Sequence, residues 1–144
     1  MPKIKIKKIH PNAIIPKYAH EGDAGMDLSS VGNIVIKPGE IVLVPTGLKL
    51  ELPFGYELQI RPRSGLALNK GITLPNSPGT IDYGYRGELK VILINHGKEN
   101  FHIKPRDKIA QAVLNKTETA EIEEVNELNN TSRGEGGFGS TDLK

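Results

Sequence analysis

Arg61-Pro62-Arg63-Ser64-Gly65 sets two guanidinium groups at the end of an alternating apolar run and immediately before a helix start. Guanidinium forks grip phosphate oxygens bidentately, and the Ser64 hydroxyl with the first free amides of a helix donates further bonds, so the segment suits a polyphosphate. The competing reading is that Ser64 only caps the helix while the arginines face water. One rotamer of the hydroxyl cannot both accept as a cap and donate to a phosphate. Asp27, in Ala24-Gly25-Met26-Asp27-Leu28, is an acid among small and apolar residues. Such a carboxylate suits Mg²⁺, which reaches a triphosphate through one or two carboxylates and keeps much of its water; a turn-capping aspartate is the alternative. The four histidines form no HExxH or deaminase-like pattern, which argues against a catalytic zinc.

The richest stretch runs from Asn76 through Ser77-Pro78-Gly79-Thr80-Ile81-Asp82-Tyr83-Gly84-Tyr85-Arg86-Gly87 to Glu88. The Asn76 amide offers both donor and acceptor to a pyrimidine edge. Asp82 can orient or deprotonate a water that lies within hydrogen-bond reach. Tyr85 can pack flat against a deoxyribose, where an added 2′-OH would meet carbon and lose its solvation. A tight tyrosine-bearing hairpin that only supports the fold remains the bland reading. After Leu128 the composition changes, and residues 129–142 carry one large apolar side chain, Phe138, among glycines. That stretch cannot build a core, so a mobile tail is expected; its Arg133, Ser140 and Thr141 have donors for phosphates, and Phe138 has a ring to cover a base. An ordinary disordered terminus is the other reading.

The elements that position these residues read as short strands bounded by Pro or Gly. They are expected at Lys3 to Lys8, Ile34 to Ile36, Ile41 to Val44, Leu48 to Leu50, Tyr56 to Arg61, Glu88 to Asn95, Phe101 to Ile103 and Ile109 to Leu114. No segment between them supplies a crossover helix, so the pattern predicts an all-β sandwich or barrel rather than βαβ units. One short helix is predicted at Ser64 to Lys70, capped by Ser64 and ended by Gly71. Ile122, Val125 and Leu128 recur at helical spacing, so Glu118 to Leu128 leans toward helix, with an edge or exchanged strand as the alternative.

At 144 residues the chain is one domain by length and can bury about 70% of its extended surface. With no cysteines it has neither disulfides nor thiolate metal sites, and the cytosol is the expected compartment. No stretch approaches the roughly 20 apolar residues of a membrane span, and no signal-peptide core follows Met1-Pro2-Lys3. The net charge of +2 and the scarcity of aromatics argue against nucleic-acid binding. Lys3, Lys5, Lys7 and Lys8 interleave with Ile4, Ile6 and Ile9, the pattern of a strand with a solvated face.

Taken together, these segments resemble the trimeric deoxyuridine triphosphate nucleotidohydrolases (dUTPases), whose five ordered motifs extend along nearly the whole chain. Ala24 to Leu28 resembles motif one, Arg61 to Ala67 motif two and Gly79 to Glu88 motif three, while Asp107-Lys108-Ile109-Ala110-Gln111 and Arg133 to Thr141 resemble motifs four and five. The resemblance implies a jelly-roll-like distorted β-barrel over 1–128 and a flexible Gly-rich lid over 129–144. It also implies a homotrimer whose sites are shared between subunits. The implied reaction is Mg²⁺-assisted hydrolysis of dUTP to dUMP and pyrophosphate, which limits uracil incorporation into DNA and supplies dUMP for thymidylate synthesis. In that scheme Asn76 recognises uracil, Asp82 meets the sugar 3′-OH and positions the attacking water, and Tyr85 stacks beneath deoxyribose. Arg63, Ser64, Gly65 and Gln111 contact phosphate or ordered water, and Asp27 contacts the waters around Mg²⁺. Phe138 covers the uracil, and Arg133, Gly139, Ser140 and Thr141 complete the substrate contacts.

Two positions depart from the family pattern. Met26 stands where an aromatic is common, and Gly84 where motif three often has a second acid. The first touches packing; the second touches the loop or the metal surroundings, while Asp82 and Tyr85 are retained. A dCTP deaminase of the same fold family and a non-catalytic nucleotide-binding β trimer are the rival expectations, and both sit poorly with retention of Asp82 and the Gly-rich tail.

Overall fold

The computed structural model describes residues 1–141, so the end of the tail, 142–144, lies outside the described residues. Ten strands and one helix occur among them: β1 (Lys5–Lys8), β2 (Gly25–Ser29), β3 (Ile34–Ile36), β4 (Ile41–Glu51), β5 (Tyr56–Arg61), α1 (Ser64–Lys70), β6 (Ile72–Thr73), β7 (Gly79–Ile81), β8 (Leu89–Asn95), β9 (Phe101–Ile103) and β10 (Lys108–Lys116). One antiparallel sheet has the order β1-β4-β8-β6, a second has the order β2-β10-β5-β7, and β3 pairs with β9 in a separate ribbon. The arrangement is a jelly-roll-like, mostly β fold.

Alternation along the long strands decides which faces meet. In β8 the residues Leu89, Val91 and Leu93 are buried, while Lys90 points out. β5 buries Leu58 and Ile60, and β10 buries Ile109, Ala110, Ala112 and Val113. The two inner faces close one core in which Leu28, Ile36, Val44, Leu58, Leu89 and Ile103 are essentially inaccessible. Each such side chain stabilises the fold by about 1.5–3 kcal/mol relative to exposure. Asn95, fully buried, donates from Nδ2 to the carbonyls of Ile36 and Glu99 at 2.8 Å and accepts from the Gly97 amide. No buried side-chain polar atom among the described residues lacks a partner.

The expected strands at Ile41 to Val44 and Leu48 to Leu50 are one strand. Its pairing with β8 shifts register between Pro45 and Leu48, a bulge that accommodates the proline's missing N–H. The short β2, β6 and β7 are not among the expected strands, because two or three residues have no readable period and β2 carries only two large apolar side chains. The helix falls at Ser64–Lys70 as expected, but its cap differs. Arg63 is the N-cap residue, in extended conformation and without a side-chain cap bond, so Ser64 is the first helical residue. At the other end Gly71 takes the left-handed conformation, φ 68°, and its amide closes the last turn. Glu118 to Leu128 forms neither helix nor strand, contrary to the helical lean. Ile122 and Leu128 are 87% and 86% exposed, so among the described residues the apolar spacing has no surface to pack on.

No helix among the described residues is long and apolar enough to cross a membrane.

Candidate active site

The second sheet brings motifs one, two and four onto a single rung. Gln111 of β10 lies opposite Asp27 of β2 on one side and opposite Arg61 of β5 on the other. Residues on one rung point to the same face, so all three leave the core on the side that Met26, Leu28, Ile60, Ala110 and Ala112 do not occupy. Met26 is buried in the core, so its departure from the aromatic pattern is a change of packing only.

Asp27 is held between two cations. Arg63 Nε donates to its Oδ1 at 3.1 Å, and Lys108 Nζ lies 3.3 Å from its Oδ2. Gln111 Nε2 donates to the Pro62 carbonyl at 2.9 Å and thereby ties β10 to the loop before α1. Asp27, Arg63, Ser64, Gly65 and Gln111 line one cavity of about 410 Å³ together with Asn69 and Lys70. Because Ser64 is not the cap, its hydroxyl is free of the conflict between capping and phosphate donation. Arg61 does not join this set; its guanidinium turns along its own strand to Gln59 Oε1, at 2.8 and 3.2 Å.

Asn76, Asp82 and Tyr85 line a different cavity, of about 510 Å³, whose apolar wall is Leu43, Ile81 and Ile92. Tyr85 is fixed at three points. Its amide donates to the Asp82 carbonyl at 3.1 Å, its hydroxyl donates to the Glu88 carbonyl at 2.8 Å, and its ring lies so close over Gly87 that any Cβ there would overlap it. A Cβ on Gly84 would meet nothing within 4 Å, so the position where motif three often has a second acid opens onto free space in this chain.

The tail residues Arg133, Phe138, Gly139, Ser140 and Thr141 line neither cavity. Their contacts are local: Arg133 Nε donates to the Gly136 carbonyl at 2.9 Å and the Ser140 amide to that of Gly137 at 3.0 Å, while Phe138 is fully exposed. The expected site residues therefore sort into two clusters and a detached tail.

A family model described as dUTPase matches residues 11–142. The chain belongs to the dUTPase family. It is an enzyme of that family, and its relatives match over nearly their full length. Deoxyuridine 5′-triphosphate nucleotidohydrolase of Clostridium acetobutylicum is 59% identical over 144 residues, covering 100% of this chain and 99% of the relative. That of Clostridium kluyveri is 60% identical over 139 residues, covering 96% and 97%. Among solved structures, the Staphylococcus bacteriophage 80alpha dUTPase with dUPNHPP superposes with a TM-score of 0.91 at 26% identity, covering 98% of this chain and 99% of that one. A dUTPase of the S. aureus phage phi11, determined as a D95N mutant with a structural Mg(II) ion, superposes with a TM-score of 0.83 at 24% identity, over 89% and 99%, and supports the fold.

Residues that sequence reasoning did not single out also face these clusters in this dUTPase-family chain. Lys108 engages Asp27 through a strand pairing between distant parts of the sequence, which no local spacing reveals. Asn69 and Lys70 stand at the far end of α1 from Ser64, and the helix folds them back onto the same cavity. No group of three or more His, Cys, Asp or Glu side chains able to hold a metal occurs among the described residues.

Proposed function

We propose that this enzyme hydrolyses dUTP to dUMP and pyrophosphate in sites shared between the subunits of a homotrimer. The observation that carries the reading is the sorting of side chains into two cavities of different chemistry, neither complete in one chain. The Asp27-Arg63-Ser64-Gln111 cavity has the donors for a polyphosphate and no aromatic side chain in its lining. The Asn76-Asp82-Tyr85 cavity has a base-reading amide, an acid and an aromatic platform beside an apolar wall, but no arginine. A nucleoside triphosphate needs both, and a neighbouring copy supplies the missing half.

In this reading the Asn76 amide and nearby backbone read the uracil edge, and the Tyr85 ring lies beneath the deoxyribose, where a 2′-OH would meet carbon. Arg63, Ser64 and the Gly65 amide hold phosphate oxygens, with Gln111 fixing the loop that presents them. Asp82 accepts a proton from the attacking water as it adds in line to the α-phosphorus, and pyrophosphate leaves toward the cationic cluster. Tail residues Arg133, Phe138, Gly139, Ser140 and Thr141 close over the bound nucleotide and exclude water.

Mg²⁺ fits these residues only through water. Both carboxylate oxygens of Asp27 already face cations, and its side chain is 32% exposed, so it can accept from the hydration shell but is poorly placed as a direct ligand. When bound, the ion would neutralise charge on the phosphates and on the departing pyrophosphate.

Incubation of the protein and Mg²⁺ separately with dUTP, dCTP, dTTP and UTP tests the assignment by product identity. Formation of dUMP and pyrophosphate from dUTP alone is the expected outcome. Deoxyuridine nucleotides arising from dCTP would move the assignment to a deaminase, and no product from any of the four would favour a binding-only assembly.

Gly25→Ala offers a separate test of the phosphate half. A Cβ at Gly25 would overlap Gln111 Oε1 and come within 3.3 Å of its Cδ, so the carboxamide must swing away from the Pro62 carbonyl. Loss of one such hydrogen bond is expected to raise KM about three- to tenfold with little change in kcat. An unchanged KM would remove Gln111 from the phosphate-holding group.

A further inference from the structure

Arg86 is used by neither cavity, yet it is the most heavily engaged side chain of the Asp82–Glu88 loop. Its Nη1 donates to the Tyr83 carbonyl at 2.8 Å and to the Tyr85 carbonyl at 3.2 Å. Its guanidinium lies 5.9 Å from the centroid of the Tyr83 ring, which Phe54 meets edge-on at 5.4 Å. Its Nη2 faces Glu51 Oε1 on β4 at 3.7 Å, and Glu51 is in turn bonded to Lys5 on β1 at 2.6 Å. Arg86 lines a cleft with Lys5, Lys49 and Glu51 and is not among the residues that line the nucleoside cavity.

Every residue from Tyr83 to Arg86 is exposed, and no strand ladder fixes the carbonyls of Tyr83 and Tyr85. The one nitrogen that bonds both carbonyls, Nη1, sets the Tyr83–Gly84 and Tyr85–Arg86 peptide planes, and with them the direction in which the Tyr85 ring leaves the chain, while Nη2 of the same planar group faces Glu51. We propose that Arg86 is a positioning residue for sugar selection: by clamping the Tyr83 and Tyr85 carbonyls against β4, it holds the Tyr85 ring where a deoxyribose fits and a ribose does not. The inference rests on the reading of Tyr85 as the sugar platform. Lys5, through its hydrogen bond and charge, and Arg86, through its charge, hold the Glu51 carboxyl below the ordinary carboxylate range, so the anchor stays anionic at neutral pH.

The test compares kcat/KM for dUTP and UTP in the wild-type protein and in the Arg86→Gln, Arg86→Lys and Tyr85→Ala variants. Arg86→Gln is expected to lower the dUTP-to-UTP ratio about tenfold, chiefly through a weaker dUTP term, and Arg86→Lys, whose single ammonium nitrogen cannot bond the two carbonyls and face Glu51 at once as Nη1 and Nη2 do, to lower it as well. A ratio unchanged in both Arg86 variants while Tyr85→Ala lowers it would overturn the positioning role and leave the Tyr85 reading standing. A ratio unaffected by Tyr85→Ala would overturn both. Should Arg86→Gln fail to fold, Arg86→Lys is read by the same comparison.

Discussion

Asp82→Asn is expected to lower kcat about a thousandfold while changing the affinity for dUTP by less than about threefold. Asparagine has nearly the volume of aspartate and still offers an oxygen to the sugar 3′-OH, so the nucleoside cavity that Asp82 shares with Asn76 and Tyr85 keeps its shape. The carboxamide cannot take up a proton from water at neutral pH. The loop itself is insensitive to the change, because Asp82 contributes its backbone carbonyl, not its side chain, to the hydrogen bond from Tyr85. Equilibrium binding of a non-hydrolysable dUTP analogue and single-turnover kinetics separate the two effects. A catalytic constant equal to that of the wild type would refute the role of general base and water holder.

Removal of Arg133 to Lys144 is expected to reduce turnover about a thousandfold or more and to leave the oligomer intact. No described residue of this stretch is buried, and among the described residues regular structure ends with β10 at Lys116, so truncation removes no described part of the core. What it removes is the Arg133 guanidinium, the Ser140 and Thr141 hydroxyls and the Phe138 ring; among the described residues Arg133 donates within its own turn, to the Gly136 carbonyl, and the Phe138 ring is fully exposed. Each donor positioned on a transition-state charge is worth about 10²–10³-fold, so the loss of several together, with access of water to the site, accounts for the size of the effect. Steady-state assays and sedimentation of the truncated protein check both halves of the expectation. Full activity without the tail would sink the lid model; loss of the oligomer would mean that the tail is part of the assembly instead.

Much of the site was legible because its chemistry is concentrated in short contiguous stretches. Arg63-Ser64-Gly65 and Asn76 through Tyr85 read as phosphate-gripping and nucleoside-holding before any fold was known, and each set does gather in a single cavity. The long strands were legible for a similar reason, since alternation in Tyr56–Arg61 and Leu89–Asn95 records which face is buried. Legibility failed where the deciding partner is distant. β6 and β7 exist only because β8 and β5 offer them a ladder. The 118–128 stretch shows helical spacing but, among the described residues, finds no surface to pack against, and spacing without burial does not hold a helix.

The sequence by itself determined the all-β class, the place of the one helix, the residue types available for phosphate, base and sugar, and membership of a family whose motifs run in order along the chain. Those properties depend on neighbours a few positions apart. Only the tertiary structure decided that Arg61 turns away while Lys108 turns in, that Ser64 is released from capping, and that the Arg63-Ser64-Gly65 and Asn76-Asp82-Tyr85 groups occupy separate cavities of one chain. Strand register made those decisions: pairing Gln111 with both Asp27 and Arg61 places three distant motifs within a side chain's reach, and local sequence carries no record of which strands will pair.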